Sequence, residues 1–132
     1  MKNSNYPNWL VSVEIAQQLK EIGFKEKCLC YWHEHLQRIE CSTDDEERLC
    51  PEYYDYNTDE STTSLPTWEQ IFEWFREKGL YSFIRVNIPD LSVSYFIYDK
   101  DGYIEENGHR NTYEDAQNDC VEELIKIYKE HE

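Results

Sequence analysis

The sequence predicts an α+β fold, an antiparallel sheet of four to five strands with three helices packed mainly on one face. Three observations lead there. Three segments carry apolar residues at helical spacing. Between them lie short stretches in which apolar and polar residues alternate. Pro89-Asp90, Asp101-Gly102 and Asn107-Gly108 mark tight turns, and strands joined that way pair antiparallel. The 132 residues are read as one domain, 1–132, long enough to bury a core without staples.

The first helix is expected from Ser12 to Ile22, after an arm anchored by Tyr6 and Trp9. Ile15, Ala16, Leu19 and Ile22 form its apolar stripe. Gly23 stops it, and Phe24 can close back on Leu19. Strands follow through Cys28–Trp32 and Leu36–Cys41. The central helix has the clearest signals. Thr67 and Gln70 can form a capping box, Trp68, Ile71, Phe72 and Phe75 share a face, and Gly79-Leu80 makes a Schellman end. Its end repeats the spacing of the first helix, Ile71, Phe75, Gly79 and Leu80 against Ile15, Leu19, Gly23 and Phe24. Strands are then expected through Tyr81–Ile88, along Val93, Tyr95 and Ile97, and at Tyr103–Glu105. The last helix runs from Thr112 to about Lys129. Tyr113, Ala116, Cys120, Leu124 and Ile127 make its main stripe.

The chain carries 28 acids against 13 bases, a formal charge of −15. That charge repels nucleic acid and anionic lipid at long range, so neither is expected as a direct partner. No apolar run approaches the roughly 20 residues of a membrane span, and the N-terminus lacks the layout of a signal peptide. A cytoplasmic location is expected, and with it free thiols at Cys28, Cys30, Cys41, Cys50 and Cys120.

Residues 43–64 break the periodic pattern and are read as an acidic loop. Asp44, Asp45, Glu46, Glu47, Glu52, Asp55, Asp59 and Glu60 face only Arg48 in opposite charge, and Ser61-Thr62-Thr63-Ser64 adds breakers. Tyr53, Tyr54 and Tyr56 are interleaved with the acids. A solubilising loop needs the charge but not the rings. A binding loop uses both, carboxylates for steering and tyrosines for contact area. Trp74 lies off the stripe of its helix. It has two readings, a second buried flank against the last helix or an exposed anchor for a partner.

The chain resembles small proteins of unestablished activity encoded by phages and prophages of gut Bacteroidetes. The matching residues are Leu19 to Phe24, Cys28, Tyr31 and Trp32, Pro66 to Lys78, Thr112 to Ala116, and Cys120, Leu124 and Ile125. Residues 33–35 and 43–64 depart from that pattern. The resemblance implies a setting, the bacterial host cytosol, and no catalytic residues.

Three constellations hold residue types that carry chemistry in other settings. Cys28, Cys30, His33, His35, Cys41 and Cys50 hold zinc-ligand types at poor spacing. On one straight strand the first two would face away from the histidines, so no metal is expected. Asp99-Lys100-Asp101-Gly102 fails the calcium-loop pattern, because Ile97 stands at the first ligand position. No histidine is placed beside a cysteine as a nucleophile pair would require. The expectation is therefore a non-enzymatic accessory protein without a cofactor. It binds a basic-surfaced protein of host or phage through Asp44, Asp45, Glu46, Glu47, Tyr53, Tyr54, Asp55, Tyr56 and Trp74. The alternatives are an acidic DNA mimic that inhibits a host defence protein, and a small zinc-binding module or enzyme.

Overall fold

The computed structural model describes residues 6–41 and 55–130. Its elements are α1 (Val13–Glu21), β1 (Cys30–His33), β2 (Arg38–Cys41), a 3₁₀ turn (Tyr56–Thr58), β3 (Thr62–Leu65), α2 (Trp68–Glu77), β4 (Tyr81–Val86), β5 (Val93–Asp99), β6 (Gly102–Arg110) and α3 (Tyr113–Glu130). The fold is α+β with three helices and antiparallel strands. The expected single sheet of four to five strands is instead two three-stranded sheets, ordered β2-β1-β3 and β4-β5-β6. They lie in two compact units, Met1–Thr67 and Trp68–Glu132. The physical reason is β3. The Ser61–Ser64 run, read as breakers, contains β-branched Thr62 and Thr63, and Thr62–Leu65 pairs with β1 and completes the first sheet.

In the first unit the Ser12 hydroxyl accepts the Ile15 N–H at 3.2 Å and caps α1. Ile15, Ala16 and Leu19 are buried. The helix stops as expected. Gly23 takes φ +94°, its N–H donates to the Lys20 carbonyl, and the Phe24 N–H donates to the Leu19 carbonyl at 3.0 Å. α1 packs against β3. The arm differs from expectation at Trp9, which is 46% exposed, while the Tyr6 hydroxyl donates to the Val11 carbonyl.

In the second unit α2 ends in the same motif. Gly79 sits at φ +85°, with Gly79 N–H to Arg76 and Leu80 N–H to Phe75 at 3.0 and 2.9 Å. Its inward face, however, is Ile71, Trp74 and Phe75, with Trp68 and Phe72 only half-buried. The i, i+3, i+4 spacing fits both stripes. What decides is the ring of Tyr128 on α3, which meets Trp74 at 5.3 Å between centroids. α3 packs on β4 and β5. Ala116, Cys120, Val121, Leu124, Ile125 and Ile127 are buried, whereas Tyr113, expected on the stripe, is 46% exposed. Arg110 pairs with Asp119 and ties β6 to α3. β6 runs through Asn107-Gly108, which was expected to turn, with two register shifts against β5 absorbing the irregularity.

The helix orientation predicts a ranking. Phe75→Ala, at a fully buried position, should cost about 3–5 kcal/mol in urea denaturation, and Phe72→Ala clearly less. The reverse order would mean that α2 is turned the other way.

Candidate functional site

The site grows from the two-residue period of β1. Tyr31 and His33 point to one face of the first sheet, Cys30 and Trp32 to the other. Register places Glu40 and Arg38 beside them on β2, and Ser64 and Thr62 on β3. Residues directly opposite share a face, so these six form one polar surface around Tyr31. The Tyr31 hydroxyl donates to Glu40 Oε2 at 2.7 Å. Arg38 holds the other carboxylate oxygen, Nε at 3.0 Å and Nη2 at 2.9 Å.

The 3₁₀ turn lies over this face. The Tyr56 ring stacks on Tyr31, centroids 4.1 Å apart and planes 26° from parallel. The Tyr56 N–H donates to Ser64 Oγ, and Thr62 Oγ1 donates to the Tyr56 carbonyl. Asp55 caps the turn by accepting the Asn57 N–H. Asn57 bonds both ways, its amide NH₂ to the Phe24 carbonyl and its Oδ1 from the Ser64 N–H. Lys20 Nζ reaches the Asp59 and Thr62 carbonyls, each at 2.7 Å. The second tyrosine is thus fixed by backbone and side-chain bonds.

Electrostatics follow the geometry. The hydrogen bond to Glu40, with some burial and the carboxylate charge, pushes the Tyr31 phenol up to about 12. The same bond, with Arg38, holds Glu40 below the usual carboxylate range. Asp59 is also lowered, first by the Ser61 N–H and then by its hydroxyl. His33 Nδ1 accepts the Leu36 N–H in the β1–β2 turn, which leaves Nε2 as the nitrogen that carries the proton in the neutral ring.

Of the residues expected to bind, Asp55 and Tyr56 come together here. Asp44, Asp45, Glu46, Glu47, Tyr53 and Tyr54 lie outside the described residues. Trp74 does not belong to an exposed site. It is 5% exposed, edge-on to Phe75 at 5.1 Å, with Lys78 Nζ 5.0 Å from its ring. Its buried-flank reading is the one observed. Sequence reasoning missed Tyr31, Glu40 and Arg38, and named His33 only as a zinc-type residue. The alternation that carries them was legible, but their meeting depends on strand register.

No protein family, curated protein or solved structure matches the chain.

Cysteine chemistry departs from expectation. Cys30 and Cys41 sit opposite each other in register and form a disulfide, where free thiols were expected. Cys28 and Cys120 are free and buried, and burial pushes both thiols up to about 12, so they are poor nucleophiles. Two of the six zinc-type residues are thereby joined to each other. Among the described residues no group of three or more His, Cys, Asp or Glu gathers around a common point. Among the same residues no helix is long and apolar enough to cross a membrane.

Two outcomes are expected. Ultraviolet titration should show one phenol ionising near 12, and Glu40→Gln should bring it back toward the ordinary value of about 10. Because the folded value is raised, this phenol's stabilising contribution is whole below about pH 10 and is lost as pH rises through about 12. Glu40 has the opposite sign. Its contribution is present above about pH 4 and is lost as pH falls through its lowered value. Second, digestion without reductant should release Cys30 and Cys41 on linked peptides. Reducing that bond should cost roughly 3 kcal/mol, the chain-entropy value for so short a loop. Unlinked peptides would contradict the pairing.

Proposed function

We propose that the protein is a non-enzymatic accessory protein that binds a basic protein surface. Its contact area is the Tyr31–Tyr56 face, and its steering charge is the acidic segment. The observation that carries this is the stack itself. Two tyrosine rings are held stacked, centroids 4.1 Å apart, beside an ionised glutamate. Tyr is the residue that gives large contact area at low conformational cost, and a preorganised pair loses little freedom on binding. In sequence, the segment from Asp44 to Tyr54 lies between Cys41 on β2 and Asp55 at the 3₁₀ turn. Among the described residues of the face, Arg38 already occupies Glu40, as an incoming arginine could.

The phage or prophage setting in a bacterial cytosol is part of this proposal and rests on the sequence resemblance alone. The Cys30–Cys41 bond is the observation that speaks against that compartment, because cytosolic reductants hold most disulfides open. Thiol trapping in freshly lysed host cells decides between the two.

Binding is tested by affinity capture from a Bacteroidetes lysate followed by kinetics on the captured partner. Neutralising Asp44, Asp45, Glu46 and Glu47 should slow association, and the native rate should fall steeply as salt rises, since exposed charges are screened beyond about 8 Å at physiological ionic strength. Tyr56→Ala should speed dissociation. Unchanged kinetics in both variants, with folding intact by circular dichroism, would sink the proposal. Competition by duplex DNA would turn it into a decoy of nucleic acid.

A further inference from the structure

Among the described residues, four edge strands close the two sheets. Three carry features that discourage further pairing. β2 and β3 have four residues each, and β2 presents Arg38 and Glu40. β6 has two register shifts and contains Glu105 and Glu106. Short length, charge and irregular pairing are the means by which sheet edges stay single. β4 is longer and regular, and its one charge is Arg85. All six of its residues pair with β5 in unbroken register. No acid lies between Glu77 and Asp90 in a chain that has 28, and no proline lies between Glu77 and Pro89.

The same strand is apolar where it should be polar. Tyr81, Phe83 and Val86 are 37%, 40% and 48% exposed, and Ile88, just beyond the strand, is 86% exposed. On the outer face Phe83 stacks on Phe96 at 4.5 Å, with the Arg85 guanidinium 4.8 Å from the Phe96 ring. A regular edge without acid or proline and with exposed rings beside it invites one more strand.

We propose that β4 pairs antiparallel with β4 of a second copy, joining two sheets into one of six strands across a two-fold axis. A two-fold interface must complement itself. Residues opposite each other must also share a face, so the axis passes through a residue rather than between two. An axis at Phe83 sets Phe83 against its counterpart and Tyr81 against Arg85 of the second copy. Both exposed rings are then covered, and each Arg85 gains a cation–π partner. An axis at Arg85 would oppose like charges. An axis at Ile84 would leave Tyr81 against Asn87. Only the Phe83 register uses every outer side chain of the strand.

Charge gives this association a signature. Each copy carries −15, so the copies repel at a distance and salt relieves that repulsion. Self-association should tighten with salt, opposite to the binding of a basic partner, and the two proposals can fail separately.

The test is sedimentation equilibrium of the intact chain at low and high salt, with cysteine cross-linking in a Cys50→Ser background. The native protein should dimerise, more strongly at high salt. Phe83→Lys should be monomeric with unchanged circular dichroism. Phe83→Cys should form a covalent dimer under mild oxidation. Tyr81→Cys should not, because four residues of strand separate it from its counterpart, about 13 Å. A native protein that stays monomeric at its highest soluble concentration would overturn the proposal. So would equal cross-linking at both positions, or none at Phe83→Cys. If Phe83→Lys does not fold, the cysteine pair and the native salt dependence still decide.

Discussion

Strand β1 has hydrogen-bonded neighbours on both sides, and what surrounds it follows from its register. A shift of one residue would send Tyr31 to the face that holds Cys30, Trp32, Thr63 and Leu65. Leu65 and Cys30 are almost fully buried, so such a shift would also carry apolar groups into water. Burial on one face therefore fixes the polar arrangement on the other. The Cys30–Cys41 bond closes the buried face across the β1–β2 pair, directly beside the row of Tyr31 and Glu40. Neither the stack of Tyr56 nor the bond to Glu40 could form in any other register.

The two units solve the same problem with different materials. Each has a helix ended by a left-handed glycine with the next apolar residue folded back, Gly23-Phe24 and Gly79-Leu80. The first unit adds a disulfide and a dense set of side chain–backbone bonds around the 3₁₀ turn. The second relies on rings, Trp74 with Phe75 and Tyr128 inside, Phe83 with Phe96 and Tyr81 with Tyr98 on the outer face. Polar fixation suits a surface that meets a charged partner, and a bare aromatic edge suits pairing with more sheet.

What the sequence made legible was local. Both helix stops could be read from Gly and the residue after it, because only glycine accepts that backbone region without strain. The α3 stripe was readable from Ala116 to Ile127, where a long helix leaves little ambiguity. The face of α2 was not, since Trp74 and Phe72 fit equally good stripes and only Tyr128, far along the chain, chooses between them. The split into two sheets was hidden for a similar reason. β3 looked like a polar linker until paired with β1. The candidate site was half legible. Tyr56 and Asp55 stood out by composition, but Tyr31, Glu40 and Arg38 become a site only through cross-strand pairing, which one sequence does not encode locally.

The central claim is that the Tyr31–Tyr56 face and the acidic segment act as one surface for basic protein. The most direct measurement is a nuclear magnetic resonance titration of the intact chain with a short arginine-rich peptide as probe. Shifts gathered at Tyr31, His33, Glu40, Tyr56 and the residues from Asp44 to Glu47 would be the predicted result. Shifts spread over all the acids of the chain, with Tyr31 and Tyr56 unmoved, would contradict it.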